Sequence, residues 1–349
     1  MMGYTIDVYR RQAEPCRVFV NFALYVAYFP QLVAGPIERA KALIPQIAQP
    51  RSVSPDMIHI GLRLIFWGYF KKVFIADGVA PYVNECFNNP TTYGGVTLLM
   101  GAYLFAIQIY GDFSGYTDIA RGISRLFGIE LCLNFRQPYL ATSVTEFWRR
   151  WHISLSAWLR DYLYIPLGGN RKGTLRTYVN NMLTMLLGGL WHGAAWNFII
   201  WGGLHGCYLA VHKFLLGRRK TETQALPETR ILGKRLHKLL CILGTFHLIC
   251  FAWIFFRAES FSVALTYLVG IVSWSGERMS GISTTFVFYG LCVLLMDVYC
   301  IKNQSEVPLI PKPGVLFHPV FRGFVYAVAL FLMVFVGGSN PQPFIYFQF

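Results

Sequence analysis

The feature that most restricts the fold of this chain is a series of long apolar blocks joined by short basic loops. They cover residues 57–79, 93–110, 178–216, 239–256, 284–301 and 320–338. About 20 apolar residues in a helix cross a hydrocarbon core. Inside lipid every backbone N–H and C=O must be paired within the protein, which leaves helices or closed barrels. Blocks of this length predict an all-α, polytopic membrane protein. Only 14% of residues are charged, against roughly 25% in a soluble domain. The 349 residues therefore read as a single membrane domain over 1–349, not as two soluble ones.

Several blocks are interrupted. Residues 18–37 contain Pro30 and close on Gly35-Pro36, which predicts a broken or interfacial helix. Residues 39–55 read as a polar loop. Within 57–79, Arg63, Lys71 and Lys72 are expected to snorkel from a tilted helix. The block at 93–110 runs into Gly111-Asp-Phe-Ser-Gly-Tyr-Thr-Asp118, where acidic and small residues break the hydrophobicity. Asp112 and Asp118 are expected to pair with a cation or cap that helix end, ahead of a substrate role. Residues 145–167 hold Arg149, Arg150, Trp151, Trp158, Arg160 and Asp161. That is too polar to span alone and predicts an interfacial or re-entrant segment.

The net charge is +14. The basic residues cluster in the loops, which fits the positive-inside rule and contact with anionic lipid headgroups. No nucleic-acid module is visible. Residues 213–238 read as the most basic loop, with eight Lys or Arg against Glu222 and Glu228. That loop and the basic turn at residues 171–176 are both placed in the cytoplasm. The segment between them must then enter the membrane and return. Its length of about 36 residues suits two short crossings or a deep hairpin at 1.5 Å rise per residue. Its midpoint lies near Gly188-Gly-Leu-Trp-His192, which places His192 within or across the bilayer. If the short apolar piece at 261–273 does not cross, the same counting puts 257–283 and the C-terminus outside and 302–319 inside. The eight cysteines form no C-x-x-C pair and read as small buried hydrophobes.

Two histidines stand out. His192 is a titratable ring in an apolar run, costly there unless paired or used; a packing histidine bonded to a carbonyl is the competing reading. His152 lies in Thr145-Glu-Phe-Trp-Arg-Arg-Trp-His152. His205 follows His192 by thirteen residues, so the two would not share a face of one straight helix. It reads as structural. His59, His212, His237, His247 and His318 carry no pattern. No H-E-x-x-H spacing points to a metal, and no G-x-S-x-G points to a serine nucleophile. Arg149, Arg150 and Arg160 either snorkel or hold an anionic group through bidentate bonds.

Longer stretches carry a resemblance. They are Tyr28-Phe-Pro-Gln-Leu-Val-Ala-Gly-Pro-Ile37, Gly111-Asp-Phe-Ser-Gly-Tyr-Thr-Asp118, Asn134-Phe-Arg-Gln-Pro-Tyr139, Glu146-Phe-Trp-Arg-Arg-Trp-His-Ile-Ser-Leu-Ser156, Tyr164-Ile-Pro-Leu-Gly-Gly-Asn170 and Leu190-Trp-His-Gly-Ala-Ala-Trp196. Together they resemble the membrane-bound O-acyltransferase family, in its bacterial alginate O-acetyltransferase branch. The resemblance implies a helical bundle with tilted, broken and re-entrant helices around a central cavity. It implies that His192 is the catalytic base and His152 its supporting residue. Trp151, Arg149, Arg150, Trp191, Asn197 and Asp112 become candidates for substrate binding. No bound cofactor is implied; the acyl donor is a thioester substrate, acetyl-CoA or an acyl carrier. The acceptor would be a hydroxyl of an exported polysaccharide, reached directly or through a periplasmic SGNH-type partner. The setting would be the bacterial inner membrane. Family members carry further helices ahead of residues 6–10, so this chain is expected to be short at its N-terminus. Two other readings are a polytopic transporter, since broken helices and intramembrane histidines suit one, and an inactive scaffold for a polysaccharide-modifying complex.

Overall fold

The structure, a computed structural model, describes residues 2–222, 231–274, 276–308, 319–337 and 342–345. The regular structure of these residues is helical, with one isolated bridge between Tyr93 and Glu277 and no strand among them. In chain order the helices are α1 (Met2–Tyr9), α2 (Phe19–Ala27), α3 (Ala40–Ala48), α4 (Pro55–Tyr69), α5 (Asp77–Asn88), α6 (Gly95–Leu126) and α7 (Val144–Trp148). They continue with α8 (Ile153–Leu159), α9 (Gly173–His192), α10 (Trp196–Glu222), α11 (Ile231–Arg257), α12 (Phe261–Ser273), α13 (Ile282–Asn303) and α14 (Pro319–Phe331). Among the described residues four helices are long and apolar enough to cross a membrane: Gly95–Leu126, Gly233–Arg257, Ile282–Asn303 and Pro319–Val336. The chain is an all-α, multi-pass membrane protein. Helix α13, helix α14 and the π-helical turn Leu332–Val336 that follows it expose Val287, Leu291, Leu295, Phe324, Phe331 and Phe335, an apolar surface that suits lipid and would drive a water-soluble chain to aggregate.

The chain divides into two compact units. The first holds residues 1–81, 107–134 and 284–348. One of its cores packs Tyr25, Tyr28, Leu43, Ile47 and Leu131 against Tyr4 and Phe22. Three expectations are corrected here. Residues 39–55 are not all loop, because α3 forms across Ala40–Ala48 and buries Leu43 and Ile47. The helix that begins at Gly95 does not break at Gly111 but runs on to Leu126. Its acidic residues are neutralised from the side: Asp118 pairs with Lys71 at 2.7 Å and Asp112 with Lys72 at 2.9 Å. Lys71 and Lys72 therefore do not snorkel. They sit on a π-helical turn, Phe70–Ala76, between α4 and α5, which gives two adjacent residues two different carboxylate partners. The C-terminal peptide closes on the same place. Lys72 Nζ donates to Gln342 O at 2.9 Å, and the Ile345 N–H donates to Asp112 Oδ2 at 2.6 Å.

The second unit holds residues 82–106 and 135–283. Its centre is the antiparallel hairpin of α9 and α10, turned at residues 193–195. Two glycines let these helices meet. A Cβ on Gly189 would stand 2.1 Å from Phe198 O, and one on Gly202 would stand 2.3 Å from Met185 O, so the backbones touch as in small-residue membrane contacts. The expected entry and return of this segment is thus a hairpin. The basic loop expected at 213–238 is shorter: α10 continues to Glu222 and α11 starts at Ile231, and 223–230 lie outside the described residues. Residues 145–167 form α7, a bend, α8 and a π-helical turn at Arg160–Tyr164. Cys86, Cys250 and Cys300 are buried as expected, whereas Cys132 and Cys207 are exposed.

Candidate functional site

Helix α7 begins at a built N-cap. Ser143 Oγ accepts the Glu146 N–H at 3.2 Å, the pairing that a serine three residues ahead of a glutamate favours. Glu146 reaches back, accepting from the Thr142 N–H at 2.7 Å and the Thr142 hydroxyl at 2.6 Å. Its other oxygen takes the Arg150 guanidinium at 2.5 Å. Arg150 also donates to Gln137 O, and the Arg136 N–H donates to Arg150 O at 2.9 Å. The helix ends there. His152 takes φ 42° and ψ 55°, in the left-handed region, before α8 starts. Gln137 on the facing loop does the same. Few non-glycine residues adopt positive φ, and such strain concentrates where surrounding contacts over-determine a site.

The bend turns Trp151 and His152 inward, with 2% and 4% exposure. Trp151 stacks on Phe147 and touches Phe135 and Trp253. His152 stacks on Phe135. From the other side His192, the last residue of α9, meets the same region. The rings of His152 and His192 lie close enough to interact electrostatically. His192 is half-buried, with its Nδ1 atom fully covered. Aromatic rings surround it: Trp191, Trp201 and Phe256 at centroid distances of 5.0, 5.2 and 5.1 Å, with Phe198 at 6.4 Å. Such a wall shields much of the imidazole from water, though the residue as a whole is only half-buried.

The remaining predicted residues divide. Asn197 opens α10 and donates to Ala258 O at 2.6 Å, tying the start of α10 to the end of α11. Trp191 is exposed on the hairpin tip with Trp196, where amphipathic indoles suit a membrane–water interface. Arg150 is engaged by Glu146. Arg149 is exposed and lines a cleft of about 720 Å³ with Trp148, Arg160, Thr184, His212 and Lys213. In that cleft Thr145 Oγ1 and His212 Nδ1 are 2.8 Å apart. Asp112 belongs to the first unit, where Lys72 and the Ile345 N–H hold it.

The structure adds residues that sequence reasoning passed over. His205 is fully buried, and its Nδ1 accepts the Trp148 indole N–H at 3.2 Å. Trp201 stands between the two histidines, 5.2 Å from the His192 ring and 4.8 Å from the His205 ring. The hairpin turn, not a shared helix face, brings His205 towards His192. The signal was present in the four-residue spacing of Asn197, Trp201 and His205, which puts all three on one face of α10.

The sequence profile of the membrane-bound O-acyltransferase family matches residues 18–254. A probable alginate O-acetylase of Azotobacter vinelandii is 42% identical, across 89% of this chain and 61% of its own length. Its namesake in Pseudomonas fluorescens is 46% identical, across 100% of this chain and 76% of its own. The peptidoglycan O-acetyltransferase of Helicobacter pylori is 35% identical, across 95% and 64%. The chain thus spans about three fifths of the first of these relatives and about three quarters of the second.

Proposed function

The chain belongs to the membrane-bound O-acyltransferase family, and from that premise we propose that it transfers an acyl group, acetyl in the first instance, to hydroxyls of an exported polysaccharide. The donor is a cytoplasmic thioester, acetyl-CoA or an acyl carrier. The acceptor is reached directly or through a periplasmic SGNH-type partner, from a position in the bacterial inner membrane. Relatives named for alginate and peptidoglycan support an acceptor at the cell surface.

The observation that carries the reading is His192 itself: an imidazole at a helix end, walled by four aromatic rings, with a second buried histidine beside it. A hydroxyl is a weak nucleophile at neutral pH. A base within hydrogen-bond reach raises its reactivity by about 10² to 10⁴, and neutral imidazole is suited to that work. His192 takes the acceptor proton as the oxygen attacks the thioester carbon. The same ring then returns the proton to the departing thiolate. His152 orients His192, its own place fixed by the left-handed bend and the Phe135 ring.

The test is the acetyl content of secreted polysaccharide in a strain lacking the gene, complemented by wild type or His192→Ala at matched membrane levels. Wild type is expected to restore acetylation and His192→Ala to leave it absent. Restoration by both removes His192 from catalysis. Restoration by neither overturns the assigned acceptor class.

A further inference from the structure

Three N–H donors in the aromatic cluster around His192 are buried without a hydrogen-bond partner among the described residues: Trp201 Nε1, Trp253 Nε1 and His205 Nε2. Buried donors are nearly always paired, so each such group asks for an explanation. His205 is the informative one. Its Nδ1 accepts from Trp148, so the ring proton of the neutral imidazole is on Nε2. The Trp148 bond thereby fixes His205 as a donor.

Trp201 and His205 are one turn apart on α10, the spacing that stacks side chains on one face. Their rings touch at 4.8 Å, and the Trp201 ring touches His192 at 5.2 Å. Exposure is 2% for Trp201 and 0% for His205, so water does not compete. Two donors without an acceptor, carried on touching rings of which one lies against the proposed base, suit a ligand atom that only accepts. The reacting acyl group supplies one. When a hydroxyl oxygen bonds to the thioester carbon, the carbonyl π electrons move onto oxygen, and that anion needs preorganised donors.

We propose that the Trp201 indole N–H and the His205 Nε2–H are the donors that hold the acyl oxygen in the transition state, with Trp148 fixing the His205 tautomer. The inference rests on the function proposed above. In the step, the acceptor oxygen bonds to the acyl carbon and its proton goes to His192. The carbonyl oxygen becomes an anion on Trp201 and His205. Collapse restores the C=O bond, breaks the C–S bond and sends the thiolate out with the proton from His192.

The experiment replaces Trp201 with benzothienylalanine, which keeps the fused rings and puts sulfur in place of the N–H. It is read as the initial rate of polysaccharide acetylation in the complemented strain. His205→Asn and His205→Gln accompany it: Asn keeps an acceptor for Trp148 and loses the distal donor, while Gln carries an amide N–H out to the Nε2 position. The benzothienyl variant is expected to lose about 10²- to 10³-fold in rate, with its thermal unfolding in detergent unchanged. His205→Gln is expected to retain more activity than His205→Asn. A benzothienyl variant at the wild-type rate overturns the inference and leaves the proposed function standing if His192→Ala is inactive in the same assay. An active His192→Ala overturns the base assignment and this inference with it.

Discussion

His152 is held in a conformation that costs energy, and the residues that hold it lie just upstream. The bend depends on Arg150, and Arg150 depends on Glu146. Burial raises the pKa of the Glu146 carboxyl. The two Thr142 hydrogen bonds and the Arg150 guanidinium outweigh that effect and set it below the usual 4.5. A carboxylate whose folded pKa is depressed stabilises the fold above the unfolded value and loses that stabilisation as pH falls through the folded one. The contribution of Glu146 is therefore complete above about pH 4.5 and disappears below it. Because the pair is partly exposed, the effect is small, on the order of 1 kcal/mol. Thermal unfolding of wild type is expected to weaken on acidification below pH 4.5, and Glu146→Gln is expected to flatten that part of the profile. An identical acid slope in both proteins would remove Glu146 from the account.

At the scale of elements, the α9–α10 hairpin decides what reaches the site. Gly189 and Gly202 bring the two backbones together, and Trp201 sits next to Gly202. A valine at 202 would push α10 away from Met185 O and move Trp201 and His205 with it. Overpacking of this kind costs about 1–3 kcal/mol. Gly203 has open space, with Leu186 Cδ2 at 3.7 Å from an added Cβ. Gly202→Val is expected to lower both the unfolding temperature in detergent and the acetylation rate, and Gly203→Ala to leave both near wild type. Equal losses in the two variants would mean that the close contact is not what matters. The hairpin was legible in the sequence, because two basic turns expected on one side require the segment between them to return. The left-handed bend at His152 was not, since nothing in Trp-Arg-Arg-Trp-His152 signals positive φ. The continuous helix through Gly111 was also hidden. Its aspartates look like breakers until Lys71 and Lys72, some forty residues earlier, are seen to pair with them. His205 was set aside on the assumption of one straight helix, which the turn after His192 removes.

At the scale of the whole molecule, helix α9 separates the basic turn from His192. Its 20 residues rise about 30 Å at 1.5 Å each, close to the thickness of a hydrocarbon core. The basic turn at Arg171 and Lys172 is at one end of this rod, and His192 with Trp191 and Trp196 is at the other. In the function proposed above, the thioester and the acceptor hydroxyl come from opposite sides of the membrane, so that proposal requires His192 to be approachable from the side away from the basic turn. In a cysteine-free background, Trp191→Cys and Trp196→Cys are expected to react with a membrane-impermeant maleimide in intact spheroplasts. Lys172→Cys is expected to react only after the membrane is opened. Labelling of all three from the same side would place His192 on the cytoplasmic face.

The closure of the C-terminal peptide onto Asp112 and Lys72 has a consequence for how the protein is made. Asp112 and Ile345 are 233 residues apart. Ribosomes add about 5–20 residues per second, so these partners emerge roughly 10 to 50 seconds apart. During that interval Asp112 and Lys72 lack their final hydrogen bonds, and the first unit has not yet received residues 284–348. A ribosome stalled short of residue 342 would therefore release a protein whose α9–α10 hairpin is complete but whose other unit lacks the bonds that residues 342–345 supply.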